Sequence, residues 1–406
     1  MDTTPLDLAR PAIAGGEPLF DELLVFGKPA LGEEEVEAVS AVIRSAWIGQ
    51  GPRCAEFEER FAELTEAPHA VSVSSCTAGL HLALVALGLG PGDEVVTTSL
   101  TFVATLNAIL HTGATPVLAD VDPATLNLDP ARVAEKITPR TKAILPVHFG
   151  GLPCDLDAFR ALATEHGLAV VEDAAHAVGA RHGGRPVGAS GIAVFSFYAN
   201  KNITTAEGGM ITVDDAELAE RLEVLRLHGL SRDAWKRFRS KKVVYSDAID
   251  LGFKYNLTDL QAALGLVQLR RLDEFLDVRR RICAVYDEEL ADVPGLRTPA
   301  RPWDDNLRHA HHLYILEVDP EAFGCDREDL LEGLRAENVG AGIHYRAAHL
   351  HPYYRRTLAL PDGALPETER LSARVLSLPL SASMSEEDAA RVALAVRRLH
   401  AYHAGR

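Results

Sequence analysis

Three loops of this chain carry residues able to do chemistry, and each follows a short β-branched run. The first is Val73-Ser74-Ser75-Cys76-Thr77-Ala78-Gly79, small and hydroxylated residues leading into a helical segment. Free N–H groups at a helix start, backed by the helix dipole, suit a phosphate, although an ordinary Ser/Thr cap uses the same residue types. The second is Val170-Val171-Glu172-Asp173-Ala174-Ala175-His176. An acid leaving a buried strand can cap a helix, bind a metal or hold a ring nitrogen protonated, and His176 taken singly reads equally as a packed histidine. The third runs from Phe195-Ser196-Phe197 through Asn200-Lys201-Asn202 to Gly208-Gly209. Here a strand delivers Lys201 into a Thr/Gly-rich turn, where desolvation or neighbouring cations lower a lysine's pKa enough for Schiff-base chemistry. A surface lysine is the plain alternative.

Taken together, an anion cradle, a carboxylate for a pyridinium nitrogen and an amine for an aldehyde are what pyridoxal 5′-phosphate requires. No Gly-x-Gly-x-x-Gly follows a strand, and no Gly-x-x-x-x-Gly-Lys-Ser/Thr occurs, which counts against dinucleotide and nucleoside triphosphate binding.

The elements that must position these loops follow a regular pattern. An acidic first turn, Glu33-Glu34-Glu35, opens a helix with apolar residues at Val36, Val39, Val42 and Ile43. From residue 69 short strands alternate with helices: strands at 69–73, 94–97, 115–119, 143–147, 169–171, 192–197 and 209–213, helices at 77–87, 101–110, 155–166 and 216–227. This alternation predicts an α/β fold with a doubly wound, mainly parallel sheet covered on both faces. The polar stretch 229–252 reads as a functional connection. A long helix is predicted over 257–276, continued after a break by 278–290. Beyond Pro294 a strand at 313–318, a helix at 327–337, a strand at 343–345 and a terminal helix at 386–400 predict a smaller α+β domain. The expected division is an N-terminal arm over 1–30, a large domain over 31–270 and a small C-terminal domain over 271–406.

The 406 residues are ordinary globular material, 47% hydrophobic and 24% charged. The net charge of −17 disfavours nucleic acid and anionic membranes. One basic run, Lys236-Arg237-Phe238-Arg239-Ser240-Lys241-Lys242, could meet the phosphates of a small anionic substrate. Five cysteines without a C-x-x-C pair indicate neither a disulfide framework nor a zinc site. The first residues carry no signal-peptide pattern and no stretch has the length of a spanning helix, so a cytoplasmic protein is expected.

From about residue 25 to 400 the chain resembles the DegT/DnrJ/EryC1/StrS sugar aminotransferases, pyridoxal-phosphate enzymes of fold type I. The resemblance rests on Ser75-Cys76-Thr77-Ala78-Gly79-Leu80-His81-Leu82, Gly90-Pro91-Gly92-Asp93-Glu94-Val95, Thr101-Phe102-Val103-Ala104-Thr105, Val171 to Ala177, Phe195 to Gly209 and Gly342-Ile343-His344-Tyr345. Phe253 to Leu260, His228-Gly229-Leu230 and Arg346-Ala347-Ala348-His349 look most like the branch that aminates C4 of nucleotide-linked 4-keto sugars. The resemblance implies that Lys201 is joined to the cofactor aldehyde and later shuttles protons, that Asp173 pairs with the ring nitrogen, and that His176 stands near the ring oxygen. It further implies that Phe102 stacks on the ring and that Cys76, Thr77 and Ser196 hold the phosphate. Asn256, or Lys254, would reach the phosphate of a second subunit, since the family builds its site across a two-fold interface.

Cys76 departs from the glycine commonest at its position, and Lys254-Tyr255-Asn256 departs from the Asn-Tyr-Arg of many relatives. The implied reaction is ping-pong transfer of an amino group from L-glutamate, which leaves as 2-oxoglutarate, to the sugar ketone. The diphosphate would fall to the 232–242 loop or to neighbours of His344 and Tyr345. Amination at C3 or of a keto-inositol, a pyridoxamine-dependent dehydratase and a non-catalytic cofactor-binding regulator are the competing readings. Lys201 counts against the dehydratases, which typically carry His there. His309, His311 and His312 are expected to lead into a strand rather than to bind a metal.

Overall fold

The computed structural model describes residues 10–231 and 247–405. After α1 (Glu33–Ser45) and α2 (Pro52–Thr65) the chain enters its main sheet. The first half of that sheet alternates β1 (His69–Val73), α3 (Cys76–Ala86), β2 (Glu94–Thr98), α4 (Ala104–Thr112) and β3 (Thr115–Ala119). There follow α5 (Pro130–Ala134), β4 (Thr141–Leu145), α6 (Leu156–His166) and β5 (Ala169–Asp173). A short hairpin of β6 (Arg181–His182) and β7 (Arg185–Pro186) precedes β8 (Ile192–Ser196), β9 (Gly209–Val213) and α7 (Ala216–Arg226).

The seven-stranded sheet has the order β1-β9-β8-β5-β4-β2-β3. The β3-β2-β4-β5-β8 neighbours are parallel, while β9 runs antiparallel to both β8 and β1. A parallel return from β8 to β9 would need a crossover helix, and the Lys201 loop that joins them supplies none. Because β1 and β8 both oppose β9, they share a direction, so Ser75, Thr101, Asp173 and Ser196 all lie at or just beyond strand ends on one edge of the sheet. Ligands collect at that edge in open α/β sheets. α3 is buried almost all round, packed on the sheet between α4 and α7, and its composition is accordingly apolar on nearly every face.

The long helix breaks at a different place from the one predicted. Helices Asp259–Arg270 and Leu272–Leu290 meet at Arg271, whose backbone leaves the helical range (φ −96°, ψ 4°). Its guanidinium there reaches Glu35 and Glu274, each at 3.2 Å. The second helix spans two cores, Phe275 and Leu276 facing Phe57 and Phe195, and Ile282 and Tyr286 facing Tyr314 and Val396.

The C-terminal part carries β10 (Leu296–Arg297), β12 (Tyr314–Val318) and β13 (Val375–Leu378) in a second sheet of order β10-β12-β13, while β11 (Leu307–Arg308) joins β6. The strand predicted at 343–345 is absent: only Gly342 pairs, with Ser377. A strand would send His344 and Tyr345 to opposite faces, whereas both border the same cavity. The described part of the N-terminal arm packs on this region, because Glu337 accepts the backbone N–H groups of Ala12 and Leu19, both at 2.9 Å. Among the described residues no helix is long and apolar enough to cross a membrane.

Candidate active site

At the carboxyl edge of the main sheet a cavity of about 560 Å³ opens between the strand-end loops and the segment carrying His344 and Tyr345. It is bordered by nearly every residue that the sequence singled out: Cys76, Thr77, Phe102, Asp173, His176, Ser196, Lys201, His344 and Tyr345.

The α3 N-terminus forms one wall. Ser75 is its cap and accepts the N–H of Ala78 at 3.1 Å, which leaves the first-turn amides of Cys76 and Thr77 without helical partners and directed outward. Gly209 lets β9 run beneath this turn, since a Cβ there would stand 2.7 Å from the carbonyl carbon of Ser75 and 2.8 Å from the nitrogen of Cys76. The Cys76 thiol is buried 3.6 Å from the Val194 carbonyl and 4.0 Å from Asp173, and burial pushes its pKa up. It is an inert wall rather than a thiolate.

Asp173 ends β5 at the floor. Thr105 donates its hydroxyl to Oδ2 at 2.8 Å and Ala175 its N–H to Oδ1 at 3.2 Å; a second hydroxyl, Thr101, lies 2.8 Å behind Thr105. Burial raises the carboxyl's pKa, and the Thr105 hydroxyl, the Ala175 amide and Lys201 act against that rise. Nothing in the sequence marks Thr105 as a partner of Asp173 beyond its place in the first turn of α4, three residues after Phe102.

Lys201 projects from the β8–β9 loop. That loop is pinned by Phe197 N–H on the Gly208 carbonyl at 2.9 Å and by Lys201 N–H on Tyr198 at 3.0 Å. Its side chain borders the open cavity, yet protein encloses the amine on most sides, and burial pushes its pKa down from 10.5 to about 8. An amine of that acidity is partly neutral near physiological pH, as a nucleophile or proton carrier must be.

On the opposite wall Tyr345 and His176 are joined through Oη and Nε2 at 3.1 Å, with rings nearly parallel. His344 stacks on Phe26 at 5.0 Å, and burial pushes its pKa down to about 4. Phe102 stands 57% exposed at the mouth with Tyr345 6.0 Å away. These surroundings fit pyridoxal phosphate: outward amides for an anion, a buried carboxylate for a ring nitrogen, an amine of lowered pKa and an uncovered aromatic face.

Asn256 does not border the cavity within the chain. Its side-chain oxygen accepts from Lys254 Nζ and its amide donates to the Leu257 carbonyl at 3.1 Å. The basic run 236–242 lies outside the described residues. Besides Thr105, sequence reading missed the role of His312: it precedes β12 as expected, but its ring lies 3.4 Å from the Lys201 amine.

The model of the DegT/DnrJ/EryC1/StrS aminotransferase family matches residues 29–397. The chain belongs to this family. It is a pyridoxal-phosphate-dependent sugar aminotransferase of fold type I. The aminotransferase is 48% identical to the spore coat polysaccharide biosynthesis protein SpsC of Bacillus subtilis (strain 168), over 93% of this chain and 97% of that protein. Among solved structures it is similar to DesI, determined in the presence of its TDP-sugar product (TM-score 0.84, 39% identity, 97% of this chain and 96% of that one). It is also similar to S. venezuelae DesV in complex with a ketimine intermediate (TM-score 0.82, 38% identity, 90% and 94% covered).

Proposed function

We propose that this aminotransferase moves an amino group from L-glutamate to C4 of a nucleotide-linked 4-keto sugar. The convergence of Asp173, Lys201 and the α3 N-terminus on one cavity carries the reading, because three loops distant in sequence supply the separate needs of one cofactor. Bound pyridoxal phosphate supplies an aldehyde that accepts amino groups and a ring that stores an electron pair.

The chain's residues divide the remaining work. The Cys76 and Thr77 amides, with the Thr77 and Ser196 hydroxyls, hold the phosphate, and Asp173 keeps the ring nitrogen protonated because the Thr105 and Ala175 bonds favour its anion. Phe102 covers one ring face and His176 orients the ring oxygen. Lys201 Nζ would hold the cofactor's aldehyde carbon and, once freed, its neutral amine would take the proton from one reacting carbon and return it to the other.

The sugar is assigned to the part of the cavity beside His344 and Tyr345, and its diphosphate, on the residue types in the sequence alone, to the basic residues of 232–242 or to neighbours of His344 and Tyr345. The motifs around Phe253, His228 and Arg346 favour C4, and DesI supports a nucleotide-linked substrate. Likeness to SpsC favours a product destined for a surface polysaccharide. We assign residues 31–270 to cofactor binding and residues 271–406 to closing the site. A second copy of the chain, brought against the exposed Ile43, Ile48 and Leu251, would deliver Asn256 to the phosphate.

The test is to mix purified enzyme and glutamate with UDP-, dTDP- and GDP-linked 4-keto sugars and identify products by mass spectrometry and NMR. A 4-amino sugar with matching 2-oxoglutarate is expected. Amination at C3, or of a keto-inositol alone, would overturn the C4 reading, and a deoxy sugar without an amine would overturn transamination.

A further inference from the structure

Among the described residues, one side chain is hydrogen-bonded to the amine of Lys201, and it comes from a segment no catalytic motif covers. His312 is buried, and its Nε2 stands 3.4 Å from Lys201 Nζ. Its Nδ1 lies 3.2 Å from the Asn202 side-chain oxygen.

The orientation of that amide is fixed independently. Asn202 donates its Nδ2 to the Ala310 carbonyl at 2.6 Å, so Oδ1 must be the atom facing His312. A carbonyl oxygen only accepts, so the proton sits on Nδ1 and a neutral ring keeps a lone pair on Nε2, aimed at Lys201.

The ring stays neutral for reasons visible on every side. It is buried, and Lys201, His176, Arg279 and His344 all face it and disfavour a further positive charge. His176 lies 4.3 Å away between centroids and has its own bonds, taking the Gly150 N–H on Nδ1 at 3.3 Å and meeting Tyr345 through Nε2. Arg279 holds the backbone beneath, donating to the His311 and His312 carbonyls at 3.4 Å and to Leu380 at 3.0 Å.

We propose that His312 is a positioning residue for Lys201, accepting an N–H of the amine whenever it is not joined to the cofactor and so turning the nitrogen's lone pair toward the cavity. The inference rests on the reading of Lys201 as the cofactor-bearing lysine. A freed lysine on a flexible stem otherwise samples many rotamers, and every excursion delays its next proton transfer. A neutral acceptor fits this role, because an imidazolium would repel the ammonium form, and an Nε2–H tautomer would engage the very lone pair the reaction needs.

The test uses the cofactor-free full chain, so that its outcome is separate from the cofactor assignment. Lys201 is titrated by the pH dependence of its acetylation with acetic anhydride, read by peptide mass spectrometry. The unmodified protein is expected to show a midpoint at about 8. His312→Phe removes the acceptor of the charged form and lowers the midpoint by about one pH unit, while His312→Gln, which can offer Oε1 near the place of Nε2, restores most of it. In the holoenzyme His312→Phe lowers kcat roughly tenfold and leaves KM within about twofold, the pattern of a residue acting after binding. A His312→Phe midpoint unchanged within about 0.2 unit, or a Gln variant no better than Phe, overturns the proposal. The unmodified protein gives a second test that needs no variant to fold: nitrogen-15 NMR must find His312 protonated on Nδ1 and bare on Nε2. A proton on Nε2 overturns it.

Discussion

At the floor of the cavity, Asp173 receives a hydroxyl and an amide, Lys201 faces His312, and His312 in turn is held by Asn202. At the mouth, Phe102 and Tyr198 stand 57% and 49% exposed, and Asn256 turns its amide to its own chain. At the floor, Asp173, Lys201 and His312 are therefore each met by a partner from the same chain. The mouth offers apolar surface and leaves its expected phosphate ligand outside the cavity. The contrast teaches where the chemistry is fixed in advance and where binding must finish the site.

The comparison breaks most sharply at the amine. Lys201→Ala is expected to cost on the order of 10³-fold or more in kcat, because the nucleophile and the proton carrier are lost together; steady-state rates with glutamate and a keto sugar check this.

A neutral replacement tests the burial of the same group through stability. Lys201 is harder to protonate in the folded state, with a pKa of about 8 against 10.5, so it weakens the cofactor-free fold below pH 8 and ceases to do so as pH rises to 10.5. Lys201→Met is accordingly expected to stabilise the cofactor-free protein by roughly 3 kcal/mol at neutral pH, with the gain fading between pH 8 and 10.5. Denaturant melts across that range measure it.

One step behind the floor, Thr105→Val removes the hydroxyl from Asp173 and leaves a buried carboxylate oxygen short of a donor. A loss of about 1–2 kcal/mol, roughly 5–30-fold in kcat/KM, is expected, together with a shifted pH titration of the cofactor's visible absorption. The smallest effect belongs to the mouth. Phe102→Ala is expected to weaken cofactor binding by roughly 2–10-fold, read by fluorescence titration, with the floor chemistry intact.

How much of this was legible in the sequence follows the same contrast. Ser75, Asp173, Ser196 and Lys201 stood out because each sits at the end of a strand or in the short loop after it, and strands alternating with helices brought those ends to one edge. The antiparallel course of β9 was hidden, because a strand buried along its whole length reads as an apolar run that carries no direction. Thr105 and His312 were hidden for a different reason: their partners lie 68 and 111 residues away, so no local pattern marks them. The expected strand at 343–345 failed because its residues answer to the cavity rather than to a pleat, and Asn256 owes its expected role to family resemblance, not to any contact within the chain.

The most direct test of the central assignment is borohydride reduction of the purified holoenzyme followed by peptide mass mapping. Cofactor fixed to Lys201, with the visible absorption lost on reduction, is the predicted result. Cofactor fixed to any other lysine, or none fixed at all, would contradict it.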